Sequence, residues 1–420
     1  MKSFDHIQYM SILSKFIVHK RNFYLRRIQP FFGSPVVKIL VGMRRVGKSC
    51  LLRLIGQEIV NHGTPAENVL LVDKESLEFD HIRTYQDLSQ YASEFFKGKS
   101  GPRAMLLDEV QEIDQWERAV ASFLGKGDIE IILTGSNAHL FSSELATRLS
   151  GRFVQFHVTS LKFSEFLEFR GSDAGTREEE FKKFIRYGGL PALHHMNMTD
   201  EVIFQYLNSI YNTILLKDIV TRHGIRQAAL LERIARFIMD NTGQVVSANS
   251  IAKYLKSQRL KVSVDTVLNY LSYFQEALLT HKTSRYDIKG RKLLELHEKY
   301  YLGDIGLCHA QLGYREGDIS QVLENIVCLE LLARGYAVNV GKLGDREIDF
   351  IAVKDNEKMY IQVTYLLESE QTIKREFTPL LDIPDNYPKL VLSMDSFFGE
   401  DYQGVRCMNL VDFLLSGDDG

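Results

Sequence analysis

The segment from Gly42 to Ser49 restricts the possible folds of this chain more than any other feature. It reads GMRRVGKS, which places two glycines, a lysine and a serine at the spacing of a phosphate-binding loop. Residues 35–41, PVVKILV, form an apolar run typical of a buried strand, and SCLLRLIGQEIV from Ser49 onward has the apolar spacing of a helix. A strand, such a loop and a helix in succession predict a nucleotide-binding α/β fold.

Each position of this loop has an expected role. Gly42 and Gly47 permit a tight backbone curl that points amide groups inward. Lys48 is expected to reach the β- and γ-phosphates, and the hydroxyl of Ser49 to ligate Mg²⁺, so ATP and Mg²⁺ are the predicted cofactors. The other loop residues expected to contact the nucleotide are Arg44, Arg45, Val46 and Cys50.

A pair of carboxylates follows a second apolar strand, AMLLDE at 104–109. Downstream of a phosphate loop, Asp108 is expected to hold Mg²⁺ through its water shell. Glu109 is expected to orient and polarise the attacking water. The alternative is a solvated strand end without a catalytic role.

A polar pair follows a further strand pattern, IILTGSN at 131–137. The amide of Asn137 is expected to sense the γ-phosphate or to position the water, and we favour it over Ser136 for this role. The alternative is a simple turn, because Gly-Ser-Asn is turn chemistry.

The strand patterns before residue 160 alternate with helical ones, which predicts a mainly parallel sheet with helices on both faces. The later residues differ. At 420 residues, with 45% hydrophobic content, the chain is expected to form several domains. We predict an ATPase core with an N-terminal segment at 1–160, a helical domain at 161–240, a winged helix-turn-helix at 241–310 and a mixed α/β domain at 311–420.

Composition limits the environment of the protein. The formal net charge is −3, which is unlike a nucleic-acid coat or a membrane-surface protein, so any basic site must be local. The four cysteines are scattered and form no CxxC pair, as expected of reduced thiols. Since no apolar run reaches membrane length, we expect a cytoplasmic protein without a membrane partner.

Seven motifs occur in an order that resembles one known family. They are GMRRVGKS, LLDEVQ, TGSNA, LSGRF, YGGLP, TILLKDIV and EIDFIA. Together they resemble the bacterial and archaeal AAA-type ATPase family that carries a C-terminal domain of unknown function. The resemblance implies an AAA+ core, a homo-oligomeric ring or spiral, and an arginine donated across the subunit interface to the neighbour's γ-phosphate.

The resemblance also implies roles for particular residues. Arg152, in LSGRF, is the favoured trans-acting arginine, and Arg148 is the other candidate. The alternative is that either arginine merely pairs with a local carboxylate such as Glu144. The family's GGxP element maps to Gly188, Gly189 and Pro191, and the resemblance implies that the helical domain at 161–240 is a lid over the base and ribose. Gly189 and Pro191 are expected to contact the nucleotide where this lid begins.

The segment 241–310 contains two helical patterns and a basic hairpin, which is typical of a winged helix-turn-helix. Its second helix is expected to present Asp265, Thr266, Asn269 and Tyr270. The hairpin carries cations suited to DNA phosphates, although winged helices also serve as protein contacts. These cations are Arg285, Lys289, Arg291 and Lys292.

The last domain resembles the PD-(D/E)XK nuclease fold, with Glu324 on a helix and Asp349 on a strand. Gln362 and Thr364 stand where an acid and a lysine are expected, so we predict an inactive scaffold.

For the protein as a whole, the expected activity is Mg²⁺-dependent ATP hydrolysis in an oligomer, coupled to DNA binding or remodelling. The alternative is a nucleotide-controlled scaffold that binds a protein partner with slow ATP turnover.

Overall fold

The computed structural model describes residues 19–138, 148–395 and 401–416 of the chain. The chain divides into two compact units, Met1–Val158 and Thr159–Gly420. The predicted end of the ATPase core, residue 160, lies two residues beyond this division.

In the described part of the first unit, a five-stranded sheet forms the centre, in the order β2-β3-β4-β1-β5 with all pairs parallel. All five residues of β1 are buried, as expected when helices cover both faces of a parallel sheet. The predicted parallel α/β core is therefore confirmed. The strands are β1 Val37–Val41, β2 Val69–Asp73, β3 Arg103–Asp108, β4 Ile129–Gly135 and β5 Phe153–His157.

The helices of this unit begin and pack where the sequence favours them. The side chain of Thr84 caps the helix that begins at Tyr85, and Asp87 completes the capping box. Gly56 lies so near β3 that a Cβ atom there would come 2.6 Å from Leu106 Cδ1. The helices are α1 Asn22–Ile28, α2 Lys48–Asn61, α3 Tyr85–Phe96 and α4 Trp116–Lys126.

The second unit begins with helices. Residues 200–221 form a long helical segment whose last part, Ile214–Thr221, is a π-helix. Within the described ranges, no helix is both long and apolar enough to cross a membrane. The helices are α5 Phe163–Arg170, α6 Arg177–Tyr187, α7 Asp200–Thr213, α8 Ala228–Asp240, α9 Ala248–Ser257, α10 Val264–Glu276, α11 Ile305–Leu312, α12 Ile319–Ala333, α13 Glu370–Leu381 and α14 Leu410–Leu415.

A nine-stranded sheet runs through the described residues of the second unit, in the order β13-β14-β12-β11-β10-β9-β7-β8-β6. Helices α9 and α10 precede the hairpin of β7 and β8, so the elements follow the order that the sequence predicts for 241–310. β7 lies before the predicted boundary at residue 310 and β9 lies after it, and these two strands pair in parallel. The sheet therefore extends across the predicted boundary. The strands are β6 Val245–Val246, β7 Thr280–Asp287, β8 Lys292–Leu302, β9 Ala337–Leu343, β10 Arg346–Lys354, β11 Glu357–Val363, β12 Lys389–Ser393, β13 Asp401–Tyr402 and β14 Val405–Asn409.

Candidate nucleotide-binding site

The candidate site lies at the carboxyl edge of the first sheet. Strands β3, β4 and β1 are consecutive neighbours and parallel, so the residues that follow them meet at one edge. This edge is where ligands bind in open α/β sheets.

The backbone of the phosphate loop is tightly enclosed. A Cβ atom at Gly42 would lie 2.1 Å from the carbonyl oxygen of Val158, which leaves room for glycine alone. Gly47 has φ 93°, in the left-handed region that glycine adopts without strain, and it directly precedes α2. The sequence prediction for these two glycines thus has a steric basis in the fold.

The ammonium group of Lys48 is held inside the loop. Its Nζ donates to the carbonyl oxygens of Gly42 and Met43, at 2.9 and 3.1 Å. It also lies 3.5 Å from Oε1 of Glu109, and both side chains are buried. The cation expected to hold phosphates is therefore fixed beside the expected catalytic base.

Arg21, which precedes the loop in sequence, supports its backbone, and the sequence analysis missed this residue. Its Nη1 donates to the carbonyl oxygen of Val46 at 3.0 Å, and its guanidinium lies 4.5 Å from the ring centroid of Tyr24. Arg21 is 3% exposed, so this contact is part of the interior. A single arginine ahead of a short helix belongs to no motif, so the sequence offered no signal for it.

Asp108 lies next to the serine of the loop. The hydroxyl groups of Thr134 and Ser49 both hydrogen-bond its carboxylate. Burial raises the pKa of Asp108, and these two hydrogen bonds oppose part of the rise. Hydroxyl and carboxylate oxygens side by side are ligands that suit Mg²⁺, so Ser49 and Asp108 fit the predicted metal.

Glu109 adopts the left-handed backbone conformation, with φ 51°, directly after β3. Its amide donates to Oγ1 of Thr134 at 2.9 Å, and its Oε2 accepts hydrogen bonds from Ser136 and Gln111. Burial favours the neutral acid, but the charge of Lys48 and these hydrogen bonds outweigh it, so the pKa of Glu109 lies below its usual value. The carboxylate is thus held in its ionised, basic form.

The two polar residues after β4 differ in what they contact. Oγ of Ser136 donates to Oε2 of Glu109 at 2.9 Å. Ser136, the less favoured of the two candidates in the sequence analysis, therefore contacts the expected base. Asn137 is buried at 7% exposure in the same loop, and its sensor role stays a prediction. The structure shows two further contacts that the sequence did not indicate, those of Thr134 and Gln111.

The remaining loop side chains lie in different surroundings. Arg44 Nη1 pairs with Oε1 of Glu75 at 3.1 Å, which ties the loop to the residues after β2. Arg45 and Cys50 are exposed. Direct contact of these side chains with the nucleotide stays a prediction.

Arg152 lies at the opposite edge of the sheet from the phosphate loop. Its carbonyl oxygen accepts from the amide of Val37, the first residue of β1, whereas the loop follows Val41. At about 3.3 Å per strand residue, these edges are separated by roughly 13 Å. Arg152 is exposed, and no carboxylate in the described ranges pairs with it.

Arg148 differs, since its Nη1 lies 3.6 Å from Oε2 of Glu117. Glu144, the carboxylate named as a local partner in the sequence analysis, lies outside the described residues. Arg152 therefore remains the better candidate for an arginine that acts on another subunit, which stays a prediction.

Comparison with known proteins identifies the family. A family model described as an AAA domain matches residues 34–167, and a model described as a domain of unknown function (DUF8612) matches residues 178–318. An uncharacterised protein of Haemophilus influenzae is 35% identical over 406 residues, which cover 96% of this chain and 100% of that protein. The chain belongs to the AAA-type ATPase family.

More distant relatives extend the similarity. An uncharacterised protein of Methanocaldococcus jannaschii is 28% identical over 357 residues, which cover 81% of this chain and 77% of that protein. The structure of a Walker-type ATPase of Pyrococcus abyssi superposes with a TM-score of 0.50 and 16% identity, over 70% of this chain and 95% of that one. This structural likeness concerns the fold.

In this AAA-type ATPase, the GGxP element lies in the second unit and is fixed by a buried carboxylate. The amide of Gly189 donates to Oδ2 of Asp304 at 2.8 Å, and Gly306 donates to Oδ1 of the same side chain at 2.9 Å. Burial raises the pKa of Asp304 to about 6, although these amides favour its charged form. Pro191 begins a short 3-10 helix. Contact of Gly189 and Pro191 with the nucleotide stays a prediction.

A lysine that the sequence analysis missed lies beside Glu324, although it precedes the predicted domain at 311–420. Nζ of Lys299, on β8, lies 2.8 Å from Oε1 of Glu324 and 2.8 Å from Oε1 of Glu347. Burial lowers the pKa of Lys299, but the surrounding carboxylates raise it by more, so the ammonium stays charged. Lys299 precedes Thr364, the position where the sequence analysis expected a nuclease lysine, by 65 residues, and it is paired with two carboxylates.

Asp349 and Gln362 face each other on neighbouring strands. The amide of Asp349 donates to Oε1 of Gln362 at 3.2 Å, and Val363 donates to Oδ2 of Asp349 at 2.8 Å. Burial raises the pKa of Asp349 well above its usual range, and nearby Glu324 adds to the rise. In the described ranges, no three histidine, cysteine or carboxylate side chains are arranged to hold a metal ion. The inactive-scaffold interpretation stays a prediction.

The candidate DNA-binding cations are not equivalent. Lys289, Arg291 and Lys292 are exposed near the turn between β7 and β8. Arg285 is half-buried, and its strand pairs on both sides, with Leu294 and Val340 opposite it. On α10, Asp265 and Asn269 are exposed as predicted, but the prediction for Tyr270 is wrong, because its ring packs inward and is 8% exposed.

Proposed function

We propose that this AAA-type ATPase binds ATP with Mg²⁺ and hydrolyses it at the carboxyl edge of the first sheet. The observation that carries the proposal is the meeting of Lys48, Asp108 and Glu109 in one buried cluster. Lys48 and the loop amides would hold the phosphates, and Ser49 and Asp108 would hold the metal. When bound, Mg²⁺ would neutralise the charge that develops on the phosphates.

The contacts of Lys48 suggest what changes when a nucleotide binds. Lys48 is held by two loop carbonyls and by Glu109, and phosphate oxygens are stronger partners for an ammonium group than carbonyls are. Transfer of Lys48 to the phosphates would leave the Glu109 carboxylate available to accept a proton from water.

We further propose that the active form is a homo-oligomer. Arg152 is exposed at the edge of the sheet remote from its own phosphate loop, as an arginine acting on a neighbour must be. Gly189 and Pro191 would begin the lid over the base and ribose.

Lys48→Ala is expected to weaken ATP binding about 100-fold, because a charge-assisted hydrogen bond contributes about 1.5–3 kcal/mol. A fluorescent ATP analogue in an equilibrium titration measures this Kd. Lys97→Ala, which removes an exposed lysine elsewhere in the first unit, is the matched control and should leave the Kd unchanged. An unchanged Kd in Lys48→Ala would rule out the proposed phosphate site.

We propose that hydrolysis is coupled to DNA bound through the hairpin of β7 and β8. Exposed cations lie at the hairpin, in the last turn of α9 and at the connection between α9 and α10, and within the described ranges none of them pairs with a carboxylate. Such unpaired cations suit a phosphate backbone. They are Lys256, Arg259, Lys261, Lys289, Arg291 and Lys292.

The double variant Lys289→Ala/Arg291→Ala is expected to bind duplex DNA more weakly. Loss of two phosphate contacts should lower the slope of log Kd against log salt by about two. Fluorescence anisotropy between 50 and 200 mM salt measures both effects, with Lys97→Ala/Lys182→Ala as a control of equal charge. DNA binding that is absent at low salt, or equal in both double variants, would contradict this assignment.

One observation favours the alternative of a protein partner. Leu268, on α10, is 51% exposed, and Tyr254, on α9, is 47% exposed. Exposed apolar side chains on these helices suit contact with a protein better than contact with the charged phosphate backbone of DNA. In this case, ATP would control assembly with a partner, and the sedimented mass should differ between ATP and ADP even when DNA does not bind.

A further inference from the structure

Gln111 belongs to the LLDEVQ motif, but none of the roles above uses its side chain. It follows Glu109 in a short 3-10 helix, Val110–Glu112, which begins as the backbone leaves β3 in the left-handed conformation of Glu109. Val110 and Ile113 are buried and anchor this turn. The turn therefore folds the side chain of Gln111 back onto the carboxylate two residues earlier.

The carboxylate of Glu109 is held asymmetrically. Oε1 faces Lys48 at 3.5 Å, whereas Oε2 accepts from Oγ of Ser136 at 2.9 Å and from Nε2 of Gln111. Nε2 of Gln111 also lies 3.3 Å from Oγ of Ser136, so the three side chains form a closed set of contacts. Lys48 is expected to leave for the phosphates, and the other two donors remain.

The two halves of the Gln111 amide differ in their partners among the residues that the structure describes. An ionised carboxylate only accepts hydrogen bonds, so the atom of Gln111 that faces Glu109 must be the amide nitrogen. Oε1 of Gln111 is then a buried acceptor, and within the described ranges nothing donates to it. A buried acceptor without a donor beside a catalytic base suits a water molecule.

We propose that Gln111 is a positioning residue for Glu109, holding its carboxylate through Nε2 while Oε1 accepts a hydrogen bond from the attacking water. This inference rests on the proposed ATPase function. In the step it serves, the water oxygen forms a bond to the γ-phosphorus while the bond to the bridging oxygen breaks. A water proton passes to Glu109, and ADP leaves with the electron pair of the broken bond.

Gln111→Met tests the proposal, because methionine keeps the length of the side chain without an N–H donor. We expect kcat to fall about tenfold or more, which is part of the roughly 10²–10⁴-fold rate enhancement that a general base contributes. KM should stay within about twofold of the wild-type value. The pKa of Glu109 should rise when it loses a donor, so the acidic limb of the kcat profile should move to higher pH. A merely structural role would not move this limb.

Gln90→Met is the matched control, since Gln90 is exposed on α3 and its side chain donates to Glu94 on the same helix. Ser136→Ala should move the acidic limb in the same direction, and its effect should not add to that of Gln111→Met, because both donors serve one oxygen. Gln111→Glu, equal in size, provides a second test through its negative charge, which should raise the pKa of Glu109 further.

The outcomes separate the two proposals. If wild type hydrolyses ATP no faster than Lys48→Ala, the proposed function fails. If wild type is active while Gln111→Met keeps its kcat and its acidic limb, the role of Gln111 is refuted. A higher kcat in Gln111→Met would also refute it, since Gln111 would then restrain the base, and a change confined to KM would do the same.

Discussion

Glu109→Gln is expected to bind ATP at least as tightly as wild type and to hydrolyse it roughly 10²–10⁴-fold more slowly. The substitution preserves shape and size, so the backbone of the turn and the contact with Ser136 can persist. It removes the negative charge that accepts the proton of the attacking water. It also removes a competitor for Lys48, whose Nζ lies 3.5 Å from Oε1 of Glu109.

Single-turnover hydrolysis of radiolabelled ATP, beside an equilibrium Kd, separates the two effects. Glu112→Gln is the matched control, because Glu112 is exposed in the same turn. Turnover in Glu109→Gln equal to that of wild type would show that another group activates the water. A large rise in Kd would show instead that Glu109 supports the phosphate loop.

Arg152→Ala is expected to lose about 10³-fold or more in turnover, the range measured for arginines that reach a transferring phosphoryl group. Because the arginine would act on a neighbour, two inactive variants should complement each other. In a mixture of Arg152→Ala and Glu109→Gln, some interfaces combine an intact Glu109 with an intact Arg152 from the next subunit. ATPase activity should therefore reappear on mixing.

Arg148→Ala serves as the comparison, because Arg148 already pairs with Glu117 at 3.6 Å. We expect a smaller loss of turnover in Arg148→Ala than in Arg152→Ala. Mixing Arg148→Ala with Glu109→Gln should add nothing to the activity that Arg148→Ala shows alone. A mixture of Arg152→Ala and Glu109→Gln that stays inactive, although both proteins assemble, would exclude action across the interface.

The positions of the residues that form the candidate nucleotide site were largely predictable because these residues lie close together in sequence. A glycine-rich loop, a lysine and a serine lie within eight consecutive residues, and their strand and helix are continuous with them. Asp108 ends β3 and Glu109 follows it, so the places of these two carboxylates are also set by neighbouring residues in the sequence. Parallel strands then bring these separate segments to one edge of a sheet, which elementary topology predicts.

The supporting contacts were not predictable in this way. Thr134 donates to Asp108 across 26 residues, and Arg21 donates to Val46 across 25. Lys299 meets Glu324 because α12, which carries Glu324, packs against β8 of the nine-stranded sheet. None of these pairs has a fixed spacing, so only the packing of elements distant in sequence creates them.

Tyr270 illustrates the same limit for surfaces. Its place on a helix was predicted, but which face of α10 is covered depends on the elements that pack against it. The exposed Leu268 and the buried Tyr270 show that a helical pattern alone can assign the wrong side.

By itself, the sequence determined that this chain has a phosphate loop, two carboxylates after a strand and a parallel α/β core, because chain connectivity fixes each of these locally. The tertiary structure decided which groups hold the carboxylate of Glu109, the proposed base. Gln111 and Ser136 contact one oxygen of Glu109 because a left-handed turn and a neighbouring strand bring them there. Such contacts depend on the three-dimensional path of the backbone, which sequence spacing does not encode.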